Sequence, residues 1–248
     1  MSGHSKWSTI KHKKGAADAK RGKIFTRIIK EMTVAARMGG GDPEGNPRLR
    51  AAVAEAKASN MPKDNIDRAI KRGTGELEGV TYEELTYEGY GPGGVALMVE
   101  VMTDNTNRTT PEIRHMLEKH GGNLGTPGSV RFQFERKGYF AIEKSAVGED
   151  KLMEIVIDAG ADDLDASDPE TYEVYASPES FEAVRQALEA NKIPTVEAKL
   201  GQIPSNYVTV DEQKAKQVIR LLEVLDDHED VQNVWSNFDV PAEMMETA

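Results

Sequence analysis

Residues 84–103 read ELTYEGYGPGGVALMVEVMT, and how this stretch folds decides the architecture around it. Leu85 and Tyr87 alternate with polar residues, which is the period of a half-buried strand. Gly89–Gly94 supply a turn, and Val95–Met102 form a mostly apolar second strand. The glycines tempt a phosphate-loop reading. However, the run lacks G-x-x-x-x-G-K-[ST] and leads into a strand rather than a helix N-terminus. A β-hairpin is the expectation.

Toward the C-terminus, Thr109–Pro111 open a helix. Thr109 with Glu112 makes one capping register, and Thr110 with Pro111 at N1 makes another. Ile113, Met116 and Leu117 are its apolar face, and Gly121-Gly122 end it. Val130, Phe132 and Phe134 alternate in SVRFQF, which predicts a strand. Strand and helix then alternate: strand 139–143, helix 150–159, strand 171–176, helix 178–191 and strand 195–200, with an extra strand near Leu164. This order predicts a ferredoxin-like β-α-β-β-α-β sandwich. Tyr207–Val210, a helix over 212–227 and a strand over Asn233–Val240 look like the missing half of the hairpin unit.

Toward the N-terminus the period becomes helical. Phe25, Ile28, Ile29, Met32, Ala35 and Ala36 share one face, with Lys23, Arg27 and Lys30 largely off it. Gly39-Gly40-Gly41 end that helix. Asn46-Pro47 starts a second helix, with Leu49, Ala52, Val53 and Ala56 on its face, and Pro62 starts a third that Gly73 ends. The expected fold class is therefore α+β and multidomain. Residues 1–78 form a basic arm plus a three-helix bundle. Residues 79–136 and 206–240 form a discontinuous α/β middle domain, and 137–205 form a ferredoxin-like domain inserted in it.

Charge divides along the same boundary. The chain has 248 residues and a formal net charge of -11. Residues 1–72 hold 17 Lys/Arg against 7 Asp/Glu, so the remainder holds 14 against 35, a net of -21. Such asymmetry points to a polyanion-binding end on a self-repelling body. There is no cysteine, which excludes disulfides and thiolate chemistry and agrees with a reducing, cytoplasmic setting. No apolar run reaches the ~18 residues that span a bilayer, and the start has neither a secretion signal nor a myristoylation pattern. No membrane partner is expected.

Few residues suggest catalysis. His4 and His12 lack neighbouring ligands, His115 and His120 fall on different helix faces, and no metal site is expected. Asp158, Asp162, Asp163, Asp165 and Asp168 miss calcium-loop spacing. No G-x-S-x-G occurs, and neither a cofactor nor a small-molecule substrate is evident. The run TDNTNRTTPE places Asp104, Asn105, Asn107 and Arg108 between a strand and a helix, a possible second binding loop or simply a turn and cap. The strongest signal is the arm. Lys6, Lys11, Lys13, Lys14, Lys20, Arg21, Lys23, Arg27 and Lys30 are candidate phosphate contacts. Trp7 is either a stacking surface for an unpaired base or an apolar anchor.

Four runs carry a resemblance: GHSKWSTIKHKKGAADAKRGKIFTRIIKEM, NPRLRAAVAEAKASNMPKDNIDRAIKRG, YEGYGPGGVALMVEVMTDNTNRT and GGNLGTPGSVRFQF. Together they resemble the YebC family, which includes the mitochondrial translational activator of cytochrome c oxidase subunit I. The resemblance implies three domains, no catalytic activity and no cofactor. It also implies a role in gene expression, either as a DNA-binding transcriptional regulator or on the ribosome, relieving elongation stalls. Relatives often carry Arg where Thr106 stands, so one contact there is expected to be lost. With no targeting extension, a bacterial cytoplasmic member is expected. The basic arm on an acidic body favours RNA or the ribosome as the partner. Duplex DNA is the alternative, since no groove-reading helix stands out. Nothing in the sequence sets the oligomeric state.

Overall fold

The computed structural model describes residues 18–239. Three helices come first: α1 (Asp18–Gly39), α2 (Pro47–Ala58) and α3 (Lys63–Thr74). Helix α1 starts ahead of its apolar stripe, which begins at Phe25, and takes in Lys20 and Arg21. Ile28, Met32, Ala35, Leu49, Ala52, Ala56, Ile66 and Ala69 meet in one core, as amphipathic helices must to bury their apolar stripes. Asn46 closes the α1–α2 corner. Its Oδ1 accepts the Leu49 N–H at 3.1 Å as an N-cap, while its Nδ2 donates to the carbonyls of Ala35 and Gly40 at 2.8 and 2.9 Å.

Gly73 lets α3 approach α1 closely. A Cβ there would lie 2.4 Å from the carbonyl oxygen of Thr33 and 2.7 Å from Ala36 Cβ. Helix propensity alone would favour Gly73→Ala by roughly 1 kcal/mol. The opposing backbone cannot rotate away, so a net loss of about 1–3 kcal/mol is expected by urea denaturation. A variant as stable as the parent would contradict this crossing.

The first sheet has order β3-β1-β2-β8, with β1 (Glu83–Tyr90), β2 (Ala96–Thr103), β3 (Asn123–Leu124) and β8 (Val231–Ser236). The opening stretch is the β1–β2 hairpin, in register Tyr90↔Ala96 to Glu83↔Thr103. Gly93 and Gly94 have φ of 78° and 80°, which is why glycines occupy its turn. Strand β2 is central and buried on both faces, which explains its near-continuous apolar run. One face packs under α4 (Thr106–Lys119) and α7 (Glu212–Asp226), with Leu97, Val99, Ile113, Leu117, Leu221 and Leu222 in the core. On the other face, Ala96 and Met98 meet Val130, Phe134 and Trp235.

The second sheet is antiparallel throughout, with order β5-β6-β4-β7. It comprises β4 (Phe134–Glu143), β5 (Ala161–Asp165), β6 (Thr171–Ala176) and β7 (Glu197–Pro204), with α5 (Glu149–Asp158) and α6 (Phe181–Ala190) between them. Phe140, Ile142, Leu152, Val156, Val174, Val184 and Leu188 form its core. The chain leaves the first sheet before Phe134 and returns after Pro204, and β8 then pairs with β2 from Leu97↔Ser236 to Val101↔Val231. Trp235 seals the two sheets together. A Cβ on Gly201 would lie 2.4 Å from its Cη2, and Lys199 Nζ stands 4.7 Å from its ring centroid.

Several details differ from the sequence expectation. Helix α4 begins at Thr106 with Asn105 as N-cap, so neither Thr109 nor Thr110 caps it and Pro111 lies inside the helix. Arg131–Gln133 form a 3-10 turn rather than a strand, and the second sheet starts at Phe134, ahead of the expected 137. The cause is Glu88. Its carboxylate accepts the N–H groups of Gly128, Val130 and Arg131 at 2.7, 2.8 and 2.9 Å, so those donors do not join a ladder. Burial pushes the Glu88 carboxyl up, but these three bonds outweigh it and hold the group below its ordinary range. Tyr207–Val210 contribute a single bridge, Val208↔Phe238, instead of a strand.

Candidate nucleic-acid interface

Lys23, Arg27 and Lys30 lie at i, i+4 and i+7 on α1, so they share one stripe of the helix. That stripe faces the acidic turn between α7 and β8. Lys23 Nζ lies 2.8 Å from Asp227 Oδ1, and Arg27 Nη2 lies 3.2 Å from Asp226 Oδ1 and also donates to the Asp226 carbonyl. Lys30 Nζ donates to Asp230 Oδ1 at 2.7 Å and to the carbonyls of Glu229 and Met102 at 3.0 and 3.2 Å. Lys30 is only 6% exposed. This corrects its assignment as a phosphate contact: its ammonium is spent inside the protein. Arg27 is part-buried by the same contact, and Lys23 remains half exposed.

Asp230 is the hub of this joint. Its Oδ2 accepts from Arg108 Nη2 and Thr109 Oγ1 at 2.7 Å each, and from Thr103 Oγ1 at 3.1 Å. Burial pushes the carboxyl up. Hydrogen bonds from Lys30, Arg108 and Thr109, together with the Lys30 charge, outweigh burial and hold it far below the ordinary carboxylate range. The run 104–108 thereby acquires a structural account. Asn105 Oδ1 accepts the Arg108 N–H at 3.1 Å, and Arg108 reaches Asp104 at 3.2 Å as well as Asp230. Asn107 is exposed. His228 Nδ1 accepts the Asp230 N–H at 3.1 Å, which leaves Nε2 to donate to Glu112 at 3.0 Å.

Other bases face solvent. Lys57 on α2 and Lys63, Arg68, Lys71 and Arg72 on α3 are exposed, as is Arg37 on α1. Arg37 and Arg72 border a cleft of about 330 Å³ between α1, α3 and the 75–82 connection, with Val34, Glu78, Val80 and Tyr82. Lys71 and Arg72 lie in the last turn of α3, where bases also complement the helix dipole. The +10 charge of residues 1–72 was the signal that α3 belongs to the basic surface. Arg48 is not free for ligand: it bridges Glu31 and Glu84, each contact at 2.6 Å. Lys6, Trp7, Lys11, Lys13 and Lys14 lie outside the described residues. Lys20 and Arg21 fall in the first turn of α1.

Among the described residues, no group of three or more His, Cys, Asp or Glu side chains could hold a metal ion. No helix among them is long and apolar enough to cross a membrane.

The structure is that of a mixed α+β chain: a helical, basic first third joined through the buried Lys30–Asp230 ion pair to the first of two antiparallel four-stranded sheets. Two family models cover most of it, the TACO1/YebC protein N-terminal domain over residues 5–76 and the TACO1/YebC second and third domain over residues 82–238. The chain belongs to the TACO1/YebC family. It is 60% identical over 237 residues to a probable transcriptional regulatory protein of Desulfosudis oleivorans, covering 96% of each chain. A protein of the same description from Acidobacterium capsulatum is 60% identical over 240 residues, with 97% of each chain covered. Among solved structures, a conserved hypothetical protein from Aquifex aeolicus superimposes with a TM-score of 0.84 at 49% identity, over 92% of this chain and 93% of that one.

Proposed function

We propose that this protein is a non-enzymatic, cytoplasmic regulator of gene expression that binds nucleic acid through its N-terminal third and acts on RNA or the ribosome during translation, where it relieves stalled elongation. The observation that carries this reading is the charge division, +10 over residues 1–72 against -21 over the rest. A body of that sign is repelled by any broad phosphate surface, so extended phosphate contact is restricted to the N-terminal third. In this reading Lys6, Trp7, Lys11, Lys13, Lys14, Lys20 and Arg21 lead into an RNA crevice, with the exposed bases of α3 behind them. Residues 1–78 act as the nucleic-acid unit. Residues 79–136 with 206–240 act as a middle domain, and 137–205 as an inserted ferredoxin-like domain. The strand order β5-β6-β4-β7 and the return of β8 to β2 support that division.

The relatives' description as probable transcriptional regulatory proteins favours a second reading, duplex DNA. Sedimentation of lysate through a sucrose gradient, with and without ribonuclease, separates the two. Co-migration with ribosomal particles that ribonuclease abolishes is expected. Absence from those fractions, together with selection of a defined duplex site, would favour the DNA reading.

A further inference from the structure

A lone exposed apolar side chain is ordinary on a protein surface. Phe132 differs because of the framework that holds it out. It is 77% exposed at the tip of the Arg131–Gln133 turn, and nearly every neighbouring backbone group is tied down. The buried carboxylate of Glu88 takes three N–H groups of the loop. Tyr90 donates its hydroxyl to the Ser129 carbonyl at 2.8 Å, and the Gln133 N–H donates to the Val130 carbonyl at 2.9 Å. From the neighbouring segments, the Ser205 N–H reaches the Gln133 carbonyl at 2.8 Å and Asn237 Nδ2 reaches Gln133 Oε1 at 3.1 Å. An aromatic ring held out by a pre-ordered loop loses little freedom on meeting a partner.

The charge around it is equally unusual for this body. Residues 73–248 carry 35 Asp/Glu in 176 positions. Yet segments 119–134, 198–210 and 231–238, which those bonds bring together at Gln133, carry none. Arg131, exposed, stands directly beside Phe132. Glu88 lies beneath, its carboxylate shielded by the loop amides, and Glu135 is the nearest acid along β4, 3.5 Å from Lys137 Nζ.

We propose that Phe132 and Arg131 form a second nucleic-acid contact, in which Phe132 stacks on an unpaired base and Arg131 meets the adjacent phosphate. A flat ring beside a guanidinium, on a loop whose joined segments 119–134, 198–210 and 231–238 carry no acid, matches single-stranded RNA: stacking needs a splayed base, and duplex pairs offer none. The inference rests on the RNA reading above and adds a contact in the acidic body, remote in sequence from the arm.

The test measures affinity of the full chain for a fluorescein-labelled single-stranded RNA 12-mer and for the same sequence as a duplex, by anisotropy. Phe132→Ala is expected to weaken single-strand binding roughly 5- to 100-fold, Phe132→Trp to restore it, and duplex binding to stay unchanged. Because the side chain is exposed, thermal melting should not move, which separates a binding loss from misfolding. If the parent protein binds neither RNA, the RNA reading itself fails. If the parent binds and Phe132→Ala binds equally well, only this contact fails. A variant that loses ribosome co-sedimentation while keeping its affinity for the 12-mer would overturn base stacking in favour of a protein-facing surface.

Discussion

Replacing Asp230 by alanine is expected to destabilise the protein by about 3–5 kcal/mol at pH 7, the usual cost of removing one partner from a buried ion pair. The substitution strips Lys30, Arg108, Thr103 and Thr109 of their common acceptor. Lys30 is left buried, with only the carbonyls of Met102 and Glu229 to meet its charge. Lys30→Met should cost less, because Asp230 keeps Arg108 and Thr109. The double variant should be more stable than the two single losses predict, since it removes both charges. The pH dependence follows from the depressed carboxyl of Asp230. A group whose folded value lies below its unfolded value contributes stability in full above the unfolded range, near ~4, and loses it as pH falls toward the folded value. The parent should therefore lose this increment below about pH 4, whereas Asp230→Ala should show a flatter acid limb. Urea midpoints compared across pH read both effects. An unchanged midpoint at pH 7 would remove Asp230 from its place at the joint.

Reversing the charge of Lys13, Lys14, Lys20 and Arg21 together is expected to weaken nucleic-acid affinity about 1000-fold near 0.1 M salt. Each neutralised phosphate releases counterions worth roughly 0.7–0.9 decades per decade of salt, and four such contacts approach three decades. The slope of log affinity against log salt should fall by about three in the same variant. Lys20 and Arg21 lie in the first turn of α1, where acids oppose the helix dipole favourably, so the fold should survive. Charge reversal at Lys23 and Arg27 makes a useful contrast. Their partners are Asp227 and Asp226, so the loss there should appear in stability at least as much as in binding. Unchanged affinity in the fourfold variant, or a parent whose affinity ignores salt, would sink the arm as the binding element.

Local chemistry made much of the fold legible. The glycines and alternation of 84–103 specified the hairpin, and Asn46-Pro47 marked the start of α2 because cap and N1 proline act within one turn. The sequence features that misled were those settled by distant partners. SVRFQF alternates like a strand, but Glu88, forty residues earlier than Gly128, captures the loop's donors. The stripe of Lys23, Arg27 and Lys30 looked like a phosphate-facing row, and its inward orientation depends on acids some two hundred residues away. Asp226–Asp230 were visible as an acidic cluster, but no periodicity announces which basic stripe such a cluster will meet. The run 104–108 stood out as polar, and cap and turn contacts occupy much of it. Asn105 caps, Arg108 braces Asp230, and Asn107 is left facing solvent.

The pairing of β8 with β2 also governs how the chain is made. In a chain made N-terminus first, the residues of the 134–204 sheet are all available while the inner edge of β2 still lacks its neighbour, because residues 231–236 follow them in the sequence. For that interval Leu97, Val99 and Val101 sit on an unpaired, strongly apolar edge, the kind of surface that recruits other strands. Arrival of β8 covers the edge, sets Trp235 against Gly201 and delivers Asp230 to Lys30, so sheet closure, docking of the two sheets and locking of the basic helix are coupled to one late event. The step that fixes the orientation of the N-terminal helix thus waits for a strand made some two hundred residues later.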